Sequence, residues 1–205
     1  DDAKLAETIP MVSVCERIHS EKKYPVVSLD NYAASRALVH HLVSYGHTRF
    51  AVIVGQVVSQ IHKDRLSGLR SVLAEEDIEF DEDMIVGQSY SIENGIESMR
   101  QLLAKPTRPT AVICFNDDIA IGAMHEIHRQ GLHVPNDISV VGFDNVKVSA
   151  FMNPPLTTID QPAYEMGRRG MEVLSDLINS IPLTRSSEML PFQLLERQSS
   201  GPAPV

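Results

Sequence analysis

The sequence predicts an α/β fold in which a parallel β-sheet is flanked by helices, and two observations carry that prediction. From residue 24 onward, short β-branched runs alternate with amphipathic stretches of helical length, which is typical of successive βαβ units. Most of those runs are continuously apolar, as expected for strands whose two faces are both covered by helices. The predicted strands are residues 25–29, 50–54, 84–86, 110–115 and 138–143.

Four helices are predicted, each following one of the first four strands. The first covers residues 31–45 and is followed by a glycine, which readily adopts the left-handed conformation that ends a helix. The second repeats leucine at helical spacing, and Ser91 is placed to cap the third. The fourth begins at a cap provided by Asp117 or Asp118 and stops before Gly131.

The pattern changes beyond residue 153. Two prolines interrupt the chain, residues 156–159 are predicted as a short extended crossing, and Pro162 opens a last helix that runs to about residue 178. Residues 190–195 are predicted as one more strand. The tail from residue 201 is expected to be disordered.

The composition is that of an ordinary globular protein. A chain of 205 residues corresponds to between one and two compact units, and 43% apolar with 22% charged residues disfavours disorder and coiled coil. No apolar run approaches the roughly 20 residues that a bilayer helix needs, so we expect a soluble, cytoplasmic chain without a membrane partner. Cys15 and Cys114 lie in apolar stretches and are predicted to be buried, inert thiols.

The charge argues against nucleic-acid binding by this chain alone. Lys and Arg number 18 and Asp and Glu number 27, which gives a net charge of −9. That sign is wrong for a surface that neutralises phosphates. We therefore expect no binding of DNA by the chain itself.

Polar side chains follow the predicted strands at the point where each strand ends. Ligands of open α/β sheets bind at this edge. The residues there are Asp30, Asn31, Gly55, Gln56, Ser89, Tyr90, Asn116, Asp117, Asp118, Asp144 and Asn145. Carboxylates, amides and one aromatic ring on a common edge suit a small molecule rich in hydroxyl groups. The alternative is that the Asp and Asn residues only cap the following helices, which accounts less well for Asp144 because the stretch after it is short.

Enzymatic and metal sites find little support in the sequence. It contains no Gly-rich phosphate loop, no G-x-S-x-G motif and no H-E-x-x-H helix. Asp117 and Asp118 could suggest a metal, and His125 and His128 could ligate zinc, but no third ligand is placed beside the histidines. We predict no catalytic residue, no cofactor and no metal, and an enzyme of doubly wound fold stays a minor alternative.

Three motifs stand out in order along the second half of the chain. They are residues 110–123 (TAVICFNDDIAIGA), 130–145 (QGLHVPNDISVVGFDN) and 155–162 (PLTTIDQP). Together with residues 64–69 and 195–199 they resemble the effector-binding region of the LacI/GalR family of bacterial transcription repressors. The resemblance covers nearly the whole chain.

The family resemblance implies a periplasmic-binding-protein-like architecture of two lobes with the effector in the cleft between them. It assigns residues 1–31 and 160–181 to a partial N-terminal lobe, and residues 32–159 and 182–205 to the C-terminal lobe. The helix-turn-helix, the hinge and most of the N-terminal lobe are not found in this sequence. Operator DNA would therefore be a partner only through a missing N-terminal domain. A periplasmic solute-binding protein for sugars shares this architecture and is the rival interpretation.

The resemblance also implies which residues contact the effector. Tyr90 supplies a stacking aromatic ring, Arg65 a cationic clamp, Asn116 and Asp144 polar anchors, and Gln161 a further polar contact. The effector would be a nucleoside such as cytidine, or a sugar, and the residues alone leave both open.

A homodimer is the remaining expectation. The predicted fourth helix carries more apolar residues than are needed to cover a sheet. Ile121, Met124 and His128 lie at helical spacing and, with Phe151, are predicted to form a self-complementary dimer surface, as the resemblance also implies. The alternative is that these residues complete the core of the monomer.

Overall fold

Strands and helices alternate along most of the chain in the computed structural model, which describes residues 9–16, 24–55 and 59–204. The strands are β1 (Ser13–Val14), β2 (Val26–Leu29), β3 (Phe50–Ile53), β4 (Ile85–Val86), β5 (Ala111–Cys114), β6 (Ser139–Asp144), β7 (Thr157–Asp160), β8 (Ser187–Leu190) and β9 (Gln193–Leu195). The helices are α1 (Asn31–Ser44), α2 (Gln60–Glu75), α3 (Ile92–Leu103), α4 (Asp117–Arg129) and α5 (Ala163–Ile178), with 3-10 segments at Glu82–Met84 and Lys147–Phe151. The predicted α/β class is confirmed.

A six-stranded sheet forms the centre of the larger of two units, which comprises Asn31–Asp160 and Gln193–Val205. The strand order is β4-β3-β5-β6-β7-β9. Neighbouring strands are parallel except for β7 and β9, which are antiparallel. Because β3 to β7 all run the same way, their carboxyl ends meet at one edge of the sheet, which we call the carboxyl edge. Their starting ends form the opposite, amino edge.

Helices cover both faces of this sheet, and its central strands are fully buried. Every residue of β3 and β5 is inaccessible to solvent or nearly so. Alternate residues of these strands, including Ile53 and Cys114, pack in one apolar cluster with Met99, Ile119 and Met124 from α3 and α4. Met124 is only 2% exposed. Its predicted place at a dimer surface is therefore wrong, because α4 is buried on more sides than a single stripe.

Side-chain caps fix where α3 and α4 begin. Ser91 caps α3 as predicted, since its hydroxyl accepts a hydrogen bond from the backbone N–H of Asn94. The cap of α4 is Asn116, whose Oδ1 accepts from the backbone N–H of Ile119, and not Asp117 or Asp118. The first helical residue is Asp117, and its carboxylate is directed into the interior instead.

The smaller unit comprises Asp1–Asp30 and Gln161–Phe192. Its described strands form a parallel sheet in the order β1-β2-β8, on which α5 packs. Arg169 of α5 donates to Glu188 of β8 over 2.8 Å. The predicted lobe boundary at residue 182 is wrong, because β8 pairs with β2 and the chain returns to the larger unit only after Phe192.

Two further expectations about the end of the chain are corrected. The single strand predicted over residues 190–195 is two strands in two different sheets, separated at Pro191. The tail predicted to be disordered is anchored, since Gly201 is buried and the backbone N–H of Ala203 donates to the carbonyl of Tyr45 over 2.9 Å.

The two cysteines differ in environment. Cys114 is buried as predicted, and burial raises the pKa of its thiol, which keeps it protonated. Cys15 is exposed, so the prediction of a buried thiol there is wrong. None of the helices in the described part of the chain is long and apolar enough to cross a membrane.

Candidate functional site

The carboxyl edge of the six-stranded sheet holds four of the five predicted effector contacts, and each is positioned by the end of a strand. Tyr90 follows β4 and is 40% exposed. Its ring lies on Gly55, two residues after the end of β3, so closely that a Cβ at Gly55 would overlap it. The absence of a side chain at Gly55 thus leaves room for the aromatic ring beside the end of β3. Gln56 lies outside the described residues.

Arg65 of α2 is a buried cation, with only 3% of its surface exposed. Its guanidinium carbon lies 3.7 Å from the centre of the Phe143 ring, at the end of β6. Its Nε donates to Oδ1 of Asn31 over 2.9 Å, and its Nη1 donates to the carbonyl oxygen of Phe115. Stacking and these hydrogen bonds hold the planar guanidinium in one orientation at the edge.

Asp144 ends β6 in a conformation that non-glycine residues rarely adopt. Its φ is +110° and that of Asn145 is +54°, so two successive residues lie in the left-handed region. Asn145 donates to Oδ1 of Asp160 over 2.7 Å and accepts from Nη2 of Arg197 over the same distance. Such strain persists only where surrounding contacts enforce it, and it is concentrated at functional sites.

Asp117 lies beneath this strained turn and supports it. Its Oδ2 accepts from the backbone N–H of Val146 over 2.9 Å, and its Oδ1 accepts from the hydroxyl of Thr158 over 2.6 Å. A Cβ at Gly142 would overlap the carboxylate. Burial raises the pKa of Asp117 to about 7, because loss of hydration outweighs the hydrogen bonds that the carboxylate accepts, and the negative charge of Asp144 adds to the rise.

Two predicted effector contacts, Asn116 and Gln161, are less available at this edge than the others. Asn116 is buried at the edge, but its Oδ1 is engaged in the cap of α4, which leaves its amide NH₂ group as the part that could meet a ligand. Gln161 directly follows β7 and begins the smaller unit, where it is half-buried. The structure thus brings Arg65, Asn116 and Asp144 to one edge with Tyr90, and Gln161 belongs to the other unit.

His62 is a residue of this edge that sequence reasoning missed. It is 6% exposed, and its Nδ1 has no hydrogen-bond partner among the described residues. Its ring meets that of Phe115 edge to face, with the ring centres 5.5 Å apart. The only sequence signal was its position three residues before Arg65, which puts both on one face of α2.

The described residues include no group of three or more His, Cys, Asp or Glu side chains that could hold a metal ion. His125 and His128, which could have suggested zinc, are both exposed on α4. Of the predicted dimer residues other than Met124, Ile121 is half-buried, His128 is exposed and Phe151 is 78% exposed.

Comparisons with known proteins agree with this architecture. Residues 39–200 match the model of the periplasmic binding protein-like domain. The chain is 36% identical over 205 residues to the HTH-type transcriptional repressor CytR of Escherichia coli strain K12. The aligned region covers 99% of this chain and 60% of that protein. The chain thus spans about 60% of the length of that curated relative.

Solved structures of transcriptional regulators share the fold. A LacI regulator from Bacillus cereus subsp. cytotoxis superimposes with a TM-score of 0.89 at 29% identity, over 95% of this chain and 69% of that one. A LacI family regulator from Enterococcus faecium with bound ribose superimposes with a TM-score of 0.82 at 27% identity, over 94% of this chain and 71% of that one. The chain therefore belongs to the family of periplasmic binding protein-like domains, in the form found in the effector-binding region of LacI/GalR transcriptional repressors.

Proposed function

We propose that this chain is the effector-binding region of a bacterial transcriptional repressor and that it binds a small, hydroxyl-rich molecule at the carboxyl edge. The observation that carries the proposal is the strained conformation of Asp144, at φ +110°, beside the buried guanidinium of Arg65. A strained backbone at Asp144 and a buried cation are both costly to the fold. Their presence at the edge where α/β sheets bind ligands supports a binding role.

The chemistry of these groups defines the class of ligand. The carboxylate of Asp144 can accept from two neighbouring hydroxyls, and the guanidinium of Arg65 can donate to a hydroxyl or ring oxygen. The ring of Tyr90 offers a flat apolar surface for a base or for the apolar face of a sugar. A pentose, free or within a nucleoside such as cytidine, matches these groups. The bound ribose in the Enterococcus faecium regulator supports this class.

Calorimetry tests the proposal directly. The chain is titrated with ribose, with cytidine and, as a control lacking a pentose, with cytosine. We expect heat of binding with ribose or cytidine and none with cytosine. Tighter binding of cytidine than of ribose would assign a role to the base and to Tyr90, whereas equal affinities would restrict recognition to the sugar. Binding of neither pentose compound would contradict the proposal.

The proposal includes operator DNA as a partner of the whole protein, and therefore a place in the cytoplasm. DNA would be bound by a segment other than the residues printed here, because the net charge of −9 opposes contact with phosphates. A gel shift at low salt should give no retardation of DNA by this chain. Sequence-specific retardation would overturn that assignment.

We also propose a homodimer, with the contact moved from buried Met124 to the exposed surface around Phe151 and Val148, which is 52% exposed. Phe151→Glu should convert the dimer to a monomer without loss of fold, because a charge would be buried against an apolar partner surface. Sedimentation velocity checks this, with Tyr164→Glu on exposed α5 as the control. A monomeric wild-type chain would end the dimer proposal.

A further inference from the structure

One polar atom at the carboxyl edge has no hydrogen-bond partner among the residues that the structure describes. The Nδ1 of His62 is buried, the side chain is 6% exposed, and no described residue hydrogen-bonds to that nitrogen. Buried polar groups are almost always paired, because an unpaired one has lost its water without replacement. The structure therefore keeps a group here that costs free energy of folding.

The position of His62 relates this atom to the ligand site. α2 begins at the carboxyl edge, after β3, and His62 is its third residue. Arg65 follows three residues later on the same face, so His62 lies one turn nearer to the open edge. Both side chains contact Phe115, His62 through its ring and Arg65 through the carbonyl oxygen.

The imidazole is suited to an uncharged hydroxyl rather than to an anion. Burial lowers the pKa of His62, and the charge of Arg70 lowers it further, so the ring is neutral at pH 7. In a neutral imidazole one nitrogen donates and the other accepts. A hydroxyl can serve either nitrogen, because it both donates and accepts.

We propose that His62 is a ligand-contacting residue of this site, whose Nδ1 exchanges a hydrogen bond with a hydroxyl of the bound pentose beside Arg65. This inference rests on the proposed function. It adds a specificity-determining residue that the family resemblance did not imply. It also explains why the fold tolerates the unpaired nitrogen, since the partner arrives with the ligand.

Two substitutions separate the binding role from a packing role. His62→Phe keeps an aromatic ring against Phe115 but removes both nitrogens. His62→Asn shortens the side chain but retains a polar atom near the position of Nδ1. His125→Asn, on the exposed face of α4, is the matched control. Each is titrated by calorimetry with ribose or cytidine, whichever binds the wild type more tightly, and melted without ligand.

The expected result combines weaker binding with undiminished stability. His62→Phe should bind about tenfold more weakly, as for one lost buried hydrogen bond, and should melt at the wild-type temperature or above, because an unpaired polar atom is removed. His62→Asn should recover part of the affinity. The control should match the wild type in both measurements.

The results that would contradict this inference can be told apart from one another. Unchanged affinity in His62→Phe would overturn this inference and leave the proposed function intact. A lower melting temperature in His62→Phe, with no recovery of affinity in His62→Asn, would assign His62 a structural role and also overturn it. Absence of wild-type binding to both ribose and cytidine would overturn the proposed function together with this inference.

Discussion

The two edges of the six-stranded sheet differ in how their buried polar groups are paired and strained. At the amino edge, fully buried His47 has a partner for each ring nitrogen. Nδ1 lies 3.0 Å from the hydroxyl of Thr110, and Nε2 lies 3.0 Å from the carbonyl oxygen of Gly201 and 3.1 Å from the hydroxyl of Ser139. At the carboxyl edge, Nδ1 of His62 has no partner in the described part of the chain, the backbone of Asp144 is strained, and Asp117 is a buried carboxyl group with a pKa of about 7.

This difference separates stability from binding within one sheet. A satisfied network rigidifies the fold, and its members contribute to the free energy of unfolding. Strained or unpaired groups lower that free energy and are retained where a ligand compensates them. Substitutions at the amino edge should therefore lower stability without changing affinity, and those at the carboxyl edge should lower affinity without lowering stability.

The largest effect is expected at the amino edge. His47→Ala leaves Thr110, Ser139 and the carbonyl of Gly201 without their shared partner and opens a cavity, so it should lower the free energy of unfolding by about 3 kcal/mol. Urea denaturation measures this. The control His125→Ala, on an exposed helix position, should stay within about 0.5 kcal/mol of the wild type. A similar loss in both variants would remove the special role of the amino edge.

The next effect concerns Asp144 and has opposite signs in affinity and stability. Asp144→Gly should weaken binding of the pentose probe by about 2 kcal/mol, because a charged acceptor of ligand hydroxyls is lost. It should be more stable than Asp144→Ala by about 1 kcal/mol, because glycine adopts a φ of +110° without strain. Calorimetry and urea denaturation of both variants check this, and equal stability of the two would show that the backbone there is not strained.

The smallest effect concerns the pH dependence of stability. Two buried groups act in opposite directions, so the free energy of unfolding should change by only about 1 kcal/mol between pH 7 and pH 5. Burial lowers the pKa of His47, so the unfolded chain binds more protons below pH 6.5 and this group makes acid destabilising. The pKa of Asp117 is raised to about 7, so the folded chain binds more protons and this group makes acid stabilising.

Variants resolve these two opposed contributions. The free energy of unfolding of Asp117→Asn should rise more steeply with pH than that of the wild type, and that of His47→Ala less steeply. Parallel pH profiles for all three proteins would contradict both assignments.

Patterns that depend on local sequence were predicted well. Continuous apolar runs identified β3, β5 and β6, because strands covered on both faces need no alternation. Ser91 was identified as a cap because no competing polar residue lies beside it. The order of strand ends placed Asp144 at the carboxyl edge, because parallel strands bring their ends together, whereas Arg65 was assigned there only by the family resemblance.

Features that depend on distant partners were not predicted. Three successive polar residues, 116–118, can each cap a helix, and only the packing of β7 shows that Asp117 points inward to Thr158. The break between β8 and β9 depends on which sheet each strand joins. Met124 is buried because α3 packs on α4 where Gly95 and Gly122 let the two backbones approach closely. The spacing of His62 from Arg65 was too weak a signal on its own, since a single histidine on an amphipathic helix is commonplace.

The anchored segment around Ser199 and Gly201 has a consequence for synthesis. The hydroxyl of Ser199 accepts from the backbone N–H of Thr157 over 2.8 Å, and the backbone N–H of Gly201 donates to Ser139 over 3.1 Å. Ser199 and Gly201 are translated long after β6 and β7, the strands to which they bond. During synthesis on the ribosome, the amino edge of the larger unit therefore stays incomplete until residue 201 has emerged.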